Sequence, residues 1–254
     1  MTALDFRPSG RAAPPRRMLM AHTGMELRLT LRRGESLLLV ALIPLVLLVA
    51  FSTTHIVDIH GSRVNFVVPG ILALAVMSTA FTGQAIATGF ERQYGVLKLL
   101  GSTALPRWVL LVAKTLAVLA VELMQVALIV VVGFTLGWHP RGNPAAVIAL
   151  LVLGTAAFSG LGLLMAGTLR AEATLAAANL VYIVLLLVGG IIFPLANYPA
   201  GARRVFEALP VTALAQGLRQ VLRTGAAVPT HDWIVLALWA LAALTAAALT
   251  FRWE

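Results

Sequence analysis

The segment from Trp108 to Leu136, WVLLVAKTLAVLAVELMQVALIVVVGFTL, decides the fold class. Lys114 and Glu122 are the only charged residues in it. A helix of about 20 mostly apolar residues crosses the hydrocarbon core of a bilayer. A surface helix of a soluble protein would instead carry charged residues along its solvent-facing side. We therefore predict that this segment is a transmembrane helix.

The composition of the whole chain supports a membrane protein. Of 254 residues, 60% are hydrophobic and 11% are charged, whereas soluble domains carry roughly 25% charged residues. Lipid therefore has to cover much of the surface. The chain has no cysteine, which excludes disulfides, thiolate metal sites and cysteine nucleophiles.

Five further apolar runs flank this segment. The run at residues 36–54 begins too late and is too long for the hydrophobic part of a signal peptide, so we expect it to be retained as a helix. The prediction is an all-α integral membrane protein whose single transmembrane domain, residues 1–254, has six transmembrane helices, at residues 36–54, 66–90, 108–136, 145–169, 173–195 and 232–251.

The distribution of Lys and Arg predicts the orientation. Thirteen of the 19 lie in the N-terminal tail, in the loop before residue 108, at Lys114, at Arg170 or at Arg252. Positive charge is enriched on the cytoplasmic side of membrane proteins. Both termini are therefore expected in the cytoplasm, and the protein is expected in the plasma or inner membrane. The six on the opposite side are Arg63, Arg141, Arg203, Arg204, Arg219 and Arg223.

The N-terminal region consists of a basic tail, residues 1–17, and an amphipathic segment, residues 18–35. Read as a helix, the segment places Met18, Ala21, Met25 and Leu29 on one face, which favours a helix lying on the inner leaflet. Local alternation of leucine with arginine also fits a strand. A basic tail that only sets topology is the simpler alternative.

Residues 196–230 are predicted to form an external segment before the last span. Val211, Leu214, Leu218 and Val221 form a helical stripe. Pro210 precedes the stripe and Gly225 follows it, as at helix ends. The expectation is an amphipathic helix lying at the outer surface, after a shorter one near residues 200–208.

The loop between the second and third spans carries the strongest functional signal. Its sequence from Phe90 to Trp108 is FERQYGVLKLLGSTALPRW. A charged pair opens it, a glycine lets it bend, and leucines follow in a short helix. Exposed leucines on a short helix indicate a docking element.

This loop resembles the first cytoplasmic loop of type-2 ABC-exporter permeases, in which an acidic-basic pair leads through glycine to a leucine-rich turn and a Pro-Arg. The far half of the chain is similar to the external re-entrant hairpin of the same family. The residues that carry this second likeness are Gly190-Ile191-Ile192-Phe193-Pro194, Pro199, Leu209-Pro210-Val211-Thr212, Leu218-Arg219 and Gly225.

The resemblance implies an ATP-driven exporter in which two permease chains pair, as a homodimer or heterodimer, and each binds a separate cytoplasmic ATPase. Segment 91–104 would be the coupling helix. The chain has no Walker A motif G-x-x-x-x-G-K-[ST], so ATP and Mg²⁺ would bind the partner and this chain would not be an enzyme. No nucleic acid is expected. The coupling residues would be Glu91, Arg92, Gly95, Val96, Leu97 and Leu100; those of the hairpin are Pro194, Pro210, Arg219 and Arg223.

Polar residues inside the spans are candidates for a transport pathway. Glu122 and Gln125 share a helix face with Lys114, and Asn179 lies in the fifth span. A structural hydrogen bond is the alternative for Glu122, helix association is the alternative for Asn179, and Lys114 is expected to snorkel to the interface. The substrate suggested by the compact hairpin is a hydrophobic drug or a lipid-like molecule.

Other functions fit the residues less well. A secondary transporter or channel could use Glu122 with an ion gradient, and a membrane anchor would transport nothing. A metal site is a further alternative, because His55, Asp58 and His60 are residue types that bind metals and lie in one short loop. Ser159-Gly160 would suit an intramembrane protease, but no histidine lies in a later span to act as base.

Overall fold

The computed structural model describes residues 13–32, 34–54, 62–192 and 194–250, and within these residues the chain is helical with no strands. The helices are α1 Pro15–Arg32, α2 Gly34–Thr53, α3 Arg63–Val76, α4 Gln84–Gln93, α5 Val96–Gly101, α6 Arg107–Thr135, α7 Pro144–Thr168, α8 Ala171–Val188, α9 Ala200–Glu207, α10 Pro210–Arg219 and α11 Thr230–Thr250.

Five helical stretches of the described chain are long and apolar enough to cross a membrane. One is continuous from α3 to α4, Arg63–Gln93, and the others are α6, α7, α8 and α11. In α2, the residues Ala41–Thr53 form a further apolar helical stretch. The prediction of an all-α membrane protein is confirmed, while a sixth crossing by α2 stays a prediction.

The second candidate span contains a π-helical segment, Met77–Gly83, between α3 and α4. A π-helical turn adds a residue to the α-helical repeat and often marks a functional position. This segment faces α6 and α7, and it places the Thr79 side chain against Gln125 of α6. The α3 helix before it is buried along most of its length, so the second span forms the centre of the bundle.

Glycines in α7 allow close packing inside this one chain. A Cβ on Gly160 would lie 2.7 Å from the backbone nitrogen of Leu244 in α11, and a Cβ on Gly162 would lie 2.8 Å from the carbonyl oxygen of Phe81. These small residues therefore bring α7 against α11 and against the π-helical segment, as small residues do in membrane bundles.

The α8 helix ends at Val188, seven residues before the predicted end of the fifth span at 195. Gly190 adopts φ +70°, a left-handed conformation that glycine reaches without strain. The guanidinium of Arg219 donates hydrogen bonds to the carbonyls of Gly190 and Ile191. The apolar sequence continues beyond Val188, but the helix does not. The carbonyls of Gly190 and Ile191 accept hydrogen bonds from Arg219 there.

The α10 helix is buried, contrary to the prediction of a helix lying at the outer surface. It packs against α3, α7 and α11, and eight of its ten residues are buried. The predicted stripe does face the core, with Val211, Leu214 and Leu218 all fully buried. The smaller α9 helix has no buried residue and does lie at the surface of the chain.

Candidate functional site

The loop between the second span and α6 forms a short helix fixed to the bundle on one side. Gly95 takes a left-handed conformation, φ 74°, immediately before α5, which breaks the chain direction after α4. Leu97 is fully buried and packs in a small apolar cluster with Leu110 of α6 and Leu163 of α7. Leu97 therefore anchors the α5 helix to the end of the helical bundle.

The opposite side of this loop is apolar and exposed. Tyr94 is 75% exposed, Leu99 is 70% exposed and Val96 is 38% exposed. We call these three residues the α5 patch. Leu97 and Leu99 are two residues apart and therefore point to nearly opposite sides of a helix. Only one of them can face the bundle.

Only some of the coupling residues predicted from the sequence are thus exposed. Val96 is in the α5 patch, Leu100 is half-buried, and Leu97 faces the interior of this chain, so it cannot make the docking contact expected of it. Tyr94 and Leu99, the most exposed apolar residues of this loop, were not among the expected coupling residues. Because Leu97 and Leu99 lie on opposite sides of a short helix, the sequence could have predicted that one of them is exposed. It could not have predicted which one.

The charged pair that opens the loop has partners within the chain. Glu91 accepts a hydrogen bond from the Lys114 ammonium at 2.5 Å, and the same ammonium lies 2.8 Å from Glu26 of α1. Arg92 donates to the backbone carbonyl of Leu169. Lys114 is 97% buried, its side chain being 3% exposed, so it does not snorkel to the interface as expected.

The three residues Glu26, Lys114 and Glu91 form a triad that joins α1, α6 and α4. Burial alone would raise the pKa of the Glu26 carboxyl, but the His22 ring, whose Nε2 lies 3.3 Å from that carboxylate, and the positive charge of Lys114 together lower the pKa to about 2. Glu26 is therefore ionised at neutral pH. The α1 helix is thus tied by charge to the segment that leads into α5.

A cavity of about 540 Å³ lies beside the triad, between α1, α4 and α6. Its volume is within the range of about 300–1,000 Å³ typical of small-molecule sites. The lining residues are Glu26, Leu29, Thr30, Thr79, Gly83, Gln84, Ile86, Ala87, Thr88, Phe90, Glu91, Tyr94, Val96, Lys114, Ala117, Val118 and Val121.

Two of the predicted pathway residues lie together and the third does not. Glu122 accepts a hydrogen bond from Thr155 at 2.6 Å, and Gln125, one turn along α6, accepts one from Thr79 at 2.6 Å. Both are buried and neither lines the cavity. Asn179 is on the exposed side of α8 and donates to the carbonyl of Leu175 in its own helix.

Among the residues predicted for the external hairpin, Arg219 makes direct contacts with another helix. Arg219 lies over the ring of Phe66, 3.9 Å from its centroid, and also donates to the Phe66 carbonyl. Pro210 is the first residue of α10, Pro194 precedes the turn Leu195–Asn197, and Arg223 is half-buried in the π-helical turn after α10. The contacts of Arg219 with Phe66 place the end of α10 beside α3.

No group of three or more metal-ligand side chains occurs in the described part of the chain. The expected loop with His55, Asp58 and His60 lies outside the described residues. Ser159 is hydrogen-bonded to Thr115 at 2.7 Å, an arrangement without the general base that a serine nucleophile requires.

Comparison with known proteins identifies the family of the chain. Residues 19–222 match the model of the ABC-2 type transporter family. The linearmycin resistance permease protein LnrN of Bacillus subtilis (strain 168) is 36% identical over 116 residues, which are 45% of this chain and 29% of that protein. The matched segment thus spans less than a third of the relative. Since the family model covers most of the chain and the apolar helices fit a multi-pass membrane protein, this chain belongs to the ABC-2 type transporter family of membrane permeases.

Proposed function

We propose that this chain is the membrane-spanning permease subunit of an ATP-driven exporter and that the α5 patch binds a separate cytoplasmic ATPase. The observation that carries the proposal is the two-sided α5 helix. One side is fixed in the bundle by Leu97, and the other presents Tyr94, Val96 and Leu99. A docking surface can transmit force only if it is itself held firmly.

The triad gives a second connection from the patch into the membrane helices. Glu91 is three residues before Tyr94, and its salt bridge to Lys114 reaches α6, while Glu26 extends the same network to α1. A displacement of α5 would therefore move α4, α6 and α1 together. Packed helices transmit such displacements as rigid bodies, which is the motion that an ATPase has to impose on a transport pathway.

The predicted orientation supports the same function. It places the α5 patch in the cytoplasm, where ATP is available, and places the hairpin of α9 and α10 at the opposite end. The transport pathway would then form with a second permease chain. The exposed apolar side of α8, which includes Leu180, Ile183 and Leu187, is available for that contact.

The substrate that we propose is a hydrophobic or amphiphilic small molecule. Two observations support this class: the mainly apolar lining of the cavity, and the name of the relative, which connects that protein with resistance to linearmycin.

The docking proposal is tested by co-purification of the ATPase with a charge placed in the α5 patch. The full chain and its cognate ATPase are co-expressed, and the Leu99→Glu variant is expected to lose most of the bound ATPase because a desolvated carboxylate is costly at an apolar contact. Val205→Glu is the matched control, since Val205 is a similarly exposed apolar residue, 63%, on α9. Full retention of the ATPase by Leu99→Glu would refute the assignment of the patch.

The alternative of a gradient-driven transporter depends on Glu122. Its second carboxylate oxygen has no hydrogen-bond partner within the described residues, which is the one feature that favours a proton-binding role. Glu122→Gln would abolish flux driven by a proton gradient under that alternative, whereas the exporter proposal expects ATP-dependent transport to remain.

A further inference from the structure

The α1 helix carries three exposed arginines along one line. Arg17, Arg28 and Arg32 are separated by 11 and four residues, which is close to three turns and one turn of helix. All three are exposed, and none of them forms an ion pair with another residue of the described chain. We call this positively charged line the α1 stripe.

Apolar side chains border the α1 stripe on both sides. Met20 is 66% exposed and Leu31 is 48% exposed on one side, and Met25, 43% exposed, and Leu29, 41% exposed, lie on the other. With 3.6 residues per turn, each pair lies roughly 75° round the helix from the stripe. A basic centre between apolar flanks is typical of helices that lie in the head-group region of a membrane.

The side of α1 that faces the bundle is polar. Its buried residues are His22 and Glu26, and the Glu26 carboxylate lies 2.8 Å from the Lys114 ammonium of α6. A surface helix of a soluble protein turns its apolar side towards the core, whereas in α1 the exposed Met20 and Leu31 face away from it. These apolar side chains are therefore available to lipid.

The ion pair with Lys114 fixes the height of α1 along α6. The α6 helix has 29 residues and is about 44 Å long, which matches a bilayer with its head groups, about 40–45 Å. Lys114 is seven residues after Arg107, the first residue of α6, or about 10 Å along the axis. A point about 10 Å inside one end lies near the boundary between head groups and hydrocarbon. At this height a lipid, rather than a soluble protein, is the neighbour of α1, and the predicted orientation makes it a lipid of the cytoplasmic leaflet.

We infer that the α1 stripe binds anionic phospholipids of the cytoplasmic leaflet. Its three guanidinium groups donate hydrogen bonds to phosphate oxygens, which their planar, multiple N–H groups fit well, and the flanking apolar side chains lie against the acyl chains. A zwitterionic phospholipid carries a cation of its own beside the phosphate, so the positive charge of the stripe selects the anionic lipid. The inference goes beyond the proposed function and does not depend on an ATPase. Lipid on one side of α1 and the ion pair of Glu26 on the other would together hold the helix at the membrane surface.

The experiment measures lipid binding to the purified full chain in detergent by native mass spectrometry. The probes are phosphatidylglycerol, which is anionic, and phosphatidylcholine, which is zwitterionic, with identical acyl chains. Each basic residue close to anionic lipid contributes about fivefold in affinity. We therefore expect the three arginines to make phosphatidylglycerol bind at least about tenfold more tightly than phosphatidylcholine. Equal affinity for the two lipids would overturn the inference.

Two triple variants with the same loss of charge assign this preference to a place on the chain. The test variant is Arg17→Gln, Arg28→Gln, Arg32→Gln, and the control variant is Arg141→Gln, Arg203→Gln, Arg204→Gln. All six positions are exposed, so both variants should elute as folded protein in size-exclusion chromatography. The test variant should lose most of the preference for phosphatidylglycerol, and the control variant should keep it. An unchanged preference in the test variant, or an equal loss in the control variant, would overturn the inference.

Co-purification with the cognate ATPase separates lipid binding from a protein contact. The test variant should retain the ATPase, because its α5 patch is unchanged. Loss of the ATPase together with an unchanged lipid preference would assign the arginines to a protein contact and overturn the inference. The docking proposal fails separately, since retention of the ATPase by Leu99→Glu removes the docking assignment and leaves the lipid preference intact.

Discussion

Replacing Lys114 by methionine should destabilise the junction of α1, α4 and α6. Methionine has a similar length and keeps the apolar contacts of the side chain, but it leaves Glu26 and Glu91 without their shared cation. Removing one partner of a buried ion pair costs about 3–5 kcal/mol. The two carboxylates are 12% and 15% exposed, so some hydration remains and we take the lower end, about 3 kcal/mol.

The assay is thermal unfolding of the detergent-solubilised chain, followed by tryptophan fluorescence. For a chain of this size about 3 kcal/mol corresponds to a decrease in Tm of about 6–12 °C. The triple variant Lys114→Met, Glu26→Gln, Glu91→Gln removes the uncompensated charges and should recover most of the loss. A Tm of Lys114→Met within about 2 °C of the unmodified chain, or no recovery in the triple variant, would refute the reasoning.

Two further predictions concern packing and pH. Gly160→Leu should strongly reduce the yield of folded protein in size-exclusion chromatography, because the backbone of α11 leaves no room for a side chain; Gly201→Ala, where a Cβ meets nothing within 4 Å, should have a normal yield, and equal yields would contradict the packing. The second prediction follows from the Glu26 pKa of about 2, below its ordinary value of 4.5. A lowered pKa contributes stability above the unfolded-state value that is lost as the pH falls through the folded-state value. The difference in Tm between the unmodified chain and Glu26→Gln should therefore be constant above about pH 5 and disappear towards about pH 2, and a difference independent of pH would show that Glu26 is not held ionised.

Much of the helical architecture could be predicted because it follows from local pattern. Apolar runs of spanning length end close to charged residues, prolines and glycines, so α6 and α7 begin within one residue of the predicted positions. The fifth span was predicted too long because Gly190, Ile191 and the following residues are apolar, and the pattern does not reveal that Arg219, distant in sequence, binds their carbonyls.

The sequence pattern could indicate where the candidate site lies, but not which of its residues pair with each other. The sequence pointed to the loop after Phe90 and predicted that Glu91 is a coupling residue, which stays a prediction. It did not indicate that Glu91 and Lys114 bind each other, since their partnership with Glu26 depends on how three helices meet.

The sequence by itself determined that the chain is a helical membrane protein with a leucine-bearing loop, because hydrophobicity and charge act residue by residue along the chain. The tertiary structure decided that Leu97 faces inward while Leu99 faces outward and that α10 lies within the bundle. The physical reason is that burial and electrostatic pairing depend on neighbours from other helices, and those neighbours are set by packing at positions such as Gly160 and Gly162.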